Sequence, residues 1–364
     1  RCRTSGRGAQ DVLTLMTLKF CPERLSLIRE RRGLSISRLA AKAEVAERAI
    51  RSYEAGETTP RENNLARLAA ALSVPPGYFF GPRISSLGSE AATFRAATKL
   101  PAYRRRAALA AGSIAMYLAD WFAHRFDLPI VNVPEVTSGS DPDLAAQSIR
   151  AAWGLGNGPA PNMLHLLEAM GVLVFSLADD CKELDAFSFW RHGRPFVMLN
   201  ATKSAERGRF DLAHELGHLV LHREIQRTTQ AHEDEANAFA AAFLMPRSGI
   251  MAMNLFMPTL SDLIEAKTAW QVAATALARR LHDLDVLSDW HYRTMMIELS
   301  KRGYRSSEPD GIQPEASQLL TVMLRNLRSD GVSVKGIAKD LQMYEADVAD
   351  MLVGLVPAVG IIGQ

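Results

Sequence analysis

The sequence predicts an α+β protein, mainly helical, with an all-helical N-terminal head, a mixed catalytic unit and a helical C-terminal region. Three observations predict it. Helical periodicity runs through most of the 364 residues. Only three short strand-like runs interrupt it, GVLVFSL, AFSFW and PFVMLN, all between residues 171 and 200. A His-Glu-x-x-His run, His214 to His218, follows them inside the apolar helical segment FDLAHELGHLVLH.

Composition narrows the class. A chain that is 48% hydrophobic and 23% charged is ordinary for a globular protein, and its length has room for two or three domains. The net charge of +2 carries no global signal for polyanions, so any nucleic-acid surface is local. Cys2, Cys21 and Cys181 have no metal-ligand spacing, and so sparse and odd a count suits a reducing compartment; a cytoplasmic location is expected. No apolar run reaches membrane-spanning length, and no signal peptide is expected. RCRTSGRGAQ reads as upstream sequence with Met16 as a plausible start, so residues 1–20 are set apart as a disordered or upstream segment.

Residues 21–83 read as a five-helix unit. PERLSLIRERRG closes on Gly33 as a C-cap, and SISRLAAKA follows with Ser35 or Ser37 as N-cap. A short turn at Glu44-Val45 leads to AERAIRSYEAG, closed by Gly56; RENNLARLAAAL is a fourth helix and VPPGYFFG a last turn. The second and third helices have helix-turn-helix spacing, packed through Leu39, Ala40, Val45, Ile50 and Tyr53. Residues 84–140 are expected to be a linker, SSLGSEAATF, and a long helix that starts near Arg104, Arg105 and Arg106. Three arginines there oppose the helix dipole, so partners are expected for them.

Residues 141–300 form the expected catalytic unit. Two amphipathic helices precede the three strands, and the last two strands are joined by the tight turn Arg191-His192-Gly193-Arg194, so a small antiparallel sheet is expected. Such a sheet beside the metal helix offers an edge to an extended peptide. Within residues 301–364, SVKGIAKDLQMYEADVADML again has helix-turn-helix spacing, with Ile337, Ala338, Leu341, Val348 and Leu352 as its core. Its balanced charge favours a packing role.

His214 and His218 lie one turn apart on one helix face and can reach one metal ion. Glu215 between them is the expected general base, taking a proton from the attacking water. Chance produces this pattern in about one chain in a hundred of this length. Two imidazoles and a carboxylate amid Phe210, Leu212, Ala213, Leu216, Leu219, Val220 and Leu221 are costly to bury unpaired. A catalytic zinc takes three protein ligands and keeps one open position. Downstream, HEDEANAFAAAFLMP offers Glu233 as third ligand, with Glu235 as the alternative. Asn237 shares a helix face with Glu233 and is expected to hydrogen-bond a ligand imidazole. Lys267, Trp270, His282 and Tyr292 are candidates to polarise the scissile carbonyl.

Two resemblances add to this. LSISRLAAKAEVAERAIRSYEAGETTPRENNLARLAAALSV, with Tyr53-Glu54-Ala55-Gly56 ending its third helix, resembles the XRE, phage-repressor-like family of DNA-binding domains. The resemblance implies that Glu47, Arg48, Arg51 and Ser52 face the groove. Ile36 and Ala46 depart from the family's phosphate-binding Gln and its Ser or Thr. Residues 21–83 carry 11 Lys/Arg and 7 Asp/Glu, a net of +4, which fits modest DNA affinity. AFSFW, KSAERGRFDLAHELGHLVLH and the run from Glu233 to Pro246 resemble the ImmA/IrrE metallopeptidases over roughly residues 145–290. That resemblance implies zinc, with manganese able to replace it in vitro, Glu233 as third ligand, and a helix-turn-helix repressor as protein substrate.

The expected function is therefore a DNA-binding transcriptional regulator with zinc endopeptidase activity that cleaves a repressor or antitoxin to derepress genes. Its expected partners are a DNA operator, a protein substrate and a second copy of the chain, since helix-turn-helix readers work as dimers; no membrane is expected. Two rivals stand beside it: a DNA-binding repressor or antitoxin whose metal site is sensory or structural, and a chain that cleaves itself at Ala46 or within SSLGSE.

Overall fold

The computed structural model describes residues 19–88, 101–137, 139–177, 184–223, 225, 229–304 and 307–357. The head consists of α1 (Pro22–Arg31), α2 (Ile36–Ala43), α3 (Glu47–Glu54), α4 (Glu62–Leu72) and a 3-10 turn at Pro76–Phe80. Ser35 caps α2 by accepting from the Arg38 N–H at 3.1 Å. Gly33 and Gly56 take the left-handed backbone that ends α1 and α3. Leu39, Ala40, Val45, Ile50 and Tyr53 are all buried, as the helix-turn-helix spacing requires.

Part of the expected linker is packed structure. Leu87 is buried, and its N–H donates to Ser113 Oγ at 2.8 Å. Gly112 makes room for it, since a Cβ there would stand 2.7 Å from Leu87 Cδ2. Ser113 and Gly112 belong to α5 (Ala102–Ala123), the expected long helix. Residues 89–100, the rest of that linker, lie outside the described residues. Near the start of α5, Arg106 pairs with Glu30 of α1 at 3.7 Å, and Arg104 donates to the Tyr103 hydroxyl at 2.9 Å. Arg24, fully buried in α1, donates to Tyr78 O, Pro82 O and the Tyr117 hydroxyl of α5, and so stitches the head to the rest.

After α6 (Pro142–Ala152) and α7 (Met163–Ala169) come β1 (Leu173–Ser176), β2 (Ala186–Arg191) and β3 (Arg194–Leu199). His192 and Gly193 both have positive φ, 48° and 75°, the mark of a type I′ turn between β2 and β3. The sheet is mixed, not antiparallel: its order is β1-β3-β2, with β3 antiparallel to β2 and parallel to β1. Each strand reverses the one before it, so placing β3 between the other two sets it parallel to β1. The antiparallel expectation took sequence neighbours for sheet neighbours.

Both faces of the sheet are covered, which explains its nearly continuous apolar runs. Phe187 and Phe189 pack on α5 at Gly112, and Phe189 stacks on Phe196 with ring centroids 5.0 Å apart. On the other face, Ser188 and Trp190 donate to the backbone oxygens of Glu215 and Leu219 on α8 (Ala205–Leu221). Helix α8 packs in turn on α9 (Gln230–Leu244).

The remaining helices are α10 (Arg247–Ala252), α11 (Leu260–Trp270), α12 (Ala274–Asp283), α13 (Asp289–Lys301), α14 (Gln318–Ser329), α15 (Val334–Asp340) and α16 (Glu345–Asp350). The last three dock back onto the molecule. Glu168 of α7 accepts from the Gln318 and Leu319 N–H groups at the start of α14, and Glu315 accepts from Met163 and Leu164 at the start of α7. Ile337, Ala338, Leu341, Val348 and Leu352 are buried. Among the described residues, no helix is long and apolar enough to cross a membrane.

Candidate metal centre

Helix α8 begins at Ser204, whose hydroxyl accepts from the Arg207 N–H, and α9 begins with a capping box between Thr229 and His232. The two helices approach closely at Gly217. A Cβ there would stand 3.1 Å from Phe239 Cδ1 and 3.3 Å from Ala236 Cα, tighter than ordinary contact, so the glycine eases the close approach of α9 to α8. That contact brings Glu233, near the start of α9, opposite the two histidines of α8.

The three expected ligand side chains converge. His214 Nε2 lies 3.3 Å from Glu233 Oε2, His218 Nε2 lies 3.4 Å from Glu233 Oε1, and the two Nε2 atoms are 3.1 Å apart. One ligand atom from each falls within 4.8 Å of the others. Two imidazole nitrogens and a carboxylate are a donor set that zinc accepts, and three such donors leave a fourth position free. Burial alone would raise the Glu233 pKa, but the His214 and His218 imidazoles beside it hold it down, at about 2. Burial pushes His218 down to about 4, so its imidazole is neutral and able to donate a lone pair. For His214 burial acts in the same direction, and the Glu233 and Glu215 carboxylates outweigh it to raise the pKa.

Glu215 is 4% exposed, and burial pushes its carboxyl up to about 7 against the pull of His214 and a Ser188 hydrogen bond. A general base serves best when its pKa lies near the working pH. Asn237 Oδ1 lies 3.0 Å from His214 Nδ1, the contact expected of it. Glu235, the alternative ligand, faces away from the cluster and meets His222 Nε2 at 2.7 Å. Helix periodicity separates it from Glu233 in this way.

Other candidates sit elsewhere. Lys267 is buried between Glu206 and Glu308, and the Trp270 indole N–H meets Met253 Sδ. His282 bonds Asp289 and stacks on Tyr292. All four engage residues outside the cluster, which accords with their lack of motif spacing. Spacing reasoning passed over three neighbours of the site. Ser188 of β2 holds Glu215. His222 sits a further four residues after His218, a repeat of the motif's own interval that was a readable signal. Asp211, one turn before His214, has its pKa raised by burial. Asp211 lines an open cavity of about 770 Å³ with Lys203, Arg207, Phe210 and Asn237, to which Ala276 and Ile312 also contribute. Burial lowers Lys203 to about 8.

On α3, Glu47, Arg48 and Arg51 are exposed, with Arg51 Nη2 3.5 Å from Glu47 Oε2. Ser52 donates to Glu57 and accepts from Thr58, each at 3.0 Å, so its hydroxyl is engaged within the head.

Residues 25–79 match the helix-turn-helix family model, and residues 167–282 match the IrrE N-terminal-like domain of peptidase M78. No curated protein matched the chain.

Proposed function

We propose that this chain, which joins an XRE-type helix-turn-helix domain to an IrrE/ImmA-like metallopeptidase M78 domain, is a DNA-binding regulator that hydrolyses a peptide bond in a transcriptional repressor or antitoxin and so relieves repression. The observation that carries the reading is the convergence of His214, His218 and Glu233 beside the buried Glu215. The first three would hold the metal, and two nitrogens with one carboxylate oxygen suit zinc, with manganese able to substitute. Bound there, the metal supplies Lewis acidity toward a water and the scissile carbonyl.

Glu215 takes the proton from the attacking water and returns it to the leaving amine. The Ser188 hydroxyl meets Glu215 from the sheet side, and Asn237 fixes the His214 ring. The substrate enters as an extended chain. β2 has β3 on one side and no strand on the other among the described residues, and it lies against α8. Its place at the edge of the described sheet suits β-strand addition, and the cavity beyond Asn237 suits a side chain of that substrate.

The intact Glu215 favours an enzyme over a sensory or structural site, which would close its fourth position with another Cys or His. Purified protein is incubated with zinc or manganese, alone and with repressors encoded beside it, and intact masses are read. Cleavage that Glu215→Gln abolishes while zinc stays bound supports the proposal; cleavage retained in that variant overturns the base assignment. Loss of mass from the protein alone would point to self-cleavage.

A further inference from the structure

We infer that His222 and Glu235 form a positioning relay that fixes the tautomer of His218, the imidazole with no amide partner of its own; this rests on the metal reading above. His218 Nδ1 lies 2.9 Å from His222 Nδ1, and His222 Nε2 lies 2.7 Å from Glu235 Oε2. His222 is 3% exposed and His218 2%, so both rings are held by packing as well as by these bonds. His214 and His218 lie four residues apart on α8, His222 follows at the same interval as its C-cap, and Glu235 reaches His222 from α9.

The chemistry of the donors gives the relay a direction. An ionised carboxylate only accepts, so the His222 nitrogen facing Glu235 carries a proton. Neutral His222 then presents a bare Nδ1. Two bare nitrogens cannot share a hydrogen bond, so His218 Nδ1 carries the proton in the 2.9 Å contact and donates it. His218 Nε2 is thereby left with its lone pair facing Glu233 and the metal position. The opposite arrangement would protonate Nε2 and close it to a metal. His214 is set by a different device, the Asn237 amide oxygen. Each ligand imidazole thus has its own orienting partner, and the partner for His218 is anchored at a carboxylate on the other helix. Partners of this kind raise metal affinity by about 10- to 100-fold.

The test uses the full chain and two readouts. Zinc affinity is measured by competition with a chromophoric chelator. The tautomer of each histidine in metal-free protein is read by ¹⁵N–¹H long-range NMR correlation after ¹⁵N-histidine labelling. His222→Phe keeps a ring and removes both hydrogen bonds. It is expected to weaken zinc binding about 10- to 100-fold and to shift His218 away from the Nδ1–H form. Glu235→Ala is expected to do the same to a lesser degree, and Glu235→Gln, whose amide oxygen still accepts from His222, to retain near-wild-type affinity. Where His222→Phe does not fold, the Glu235 pair carries the test, because that carboxylate is partly exposed. Wild-type affinity and an unchanged His218 tautomer in the folded His222→Phe or Glu235→Ala variant overturn the relay. A wild-type chain that binds no zinc, or a His214→Ala chain that binds it as tightly, overturns the metal reading instead.

Discussion

A carboxylic acid placed at Glu215 faces two demands: it must be able to ionise to act as a base, yet it is surrounded by apolar residues of α8 and by β2. Burial raises its pKa to about 7 from an ordinary value of 4.5. In metal-free protein the folded state therefore binds a proton that the unfolded chain has lost, over the window between those two values. Stability from this group is full below pH 4.5 and falls as the pH rises through 7. Glu215→Gln has no charge to bury at any pH. Its stability relative to wild type should accordingly grow between pH 5 and pH 8, by on the order of 2–3 kcal/mol. Urea unfolding of chelator-treated protein at the two pH values measures this, and a difference that does not change with pH would contradict it. The roles of His214, Glu215 and His218 were legible from a five-residue pattern, because helix geometry fixes which side chains share a face. Ser188 was not: it is one polar residue in the strand AFSFW, and its partner lies 27 residues away in sequence.

Between elements, the crossing of α8 and α9 decides whether the third ligand reaches the other two. Gly217, inside the motif, is where backbone meets backbone. Replacing it with valine sets methyl groups against Ala236 and the Phe239 ring, neither of which is the far end of a flexible side chain. Overpacking of this kind costs about 1–3 kcal/mol. Because the strain lies on the contact that carries Glu233, Gly217→Val should also weaken zinc binding. Thermal unfolding with and without zinc separates the two effects: the shift in Tm on adding zinc should shrink in the variant. An unchanged zinc-dependent shift would mean that α9 moves without losing Glu233. Element identity was largely readable here. Helices α1 and α3 ended at Gly33 and Gly56, and the β2–β3 turn fell at His192-Gly193. Sheet order was not readable, since β3 enters between β1 and β2 by contacts that no local pattern encodes.

At the scale of the whole molecule, the C-terminal helices tie the reading head to the rest of the chain. Arg32, at the end of α1, spans Asp347 of α16 with a bidentate pair, its Nη2 at 2.8 Å from Oδ2, and it also donates to Leu72 O. Arg31 lies 3.5 Å from Asp350, and Arg125, just past α5, pairs with Asp340 at 3.0 Å. On the far side, Met351 O accepts from Ser176 N on β1, so the same short segment touches the head and the sheet. The expectation of a packing role for this region came from its charge balance, but its partners came from 315 residues away, beyond the reach of any spacing argument. Asp347 is nearly buried and Arg32 partly so, and losing either leaves the other charge poorly solvated. Asp347→Ala should therefore destabilise the docking of α15 and α16 on α1, with a coupling to Arg32→Ala of about 1–3 kcal/mol in a double-mutant cycle. Hydrogen exchange should quicken in α1, α15 and α16 together while the α8–α9 contact stays protected. Zinc affinity should be unchanged, because none of these residues touches the cluster around Glu233. Exchange that quickens in α16 alone would mean that the head is held by Arg24 and α5 without help from the C-terminal helices.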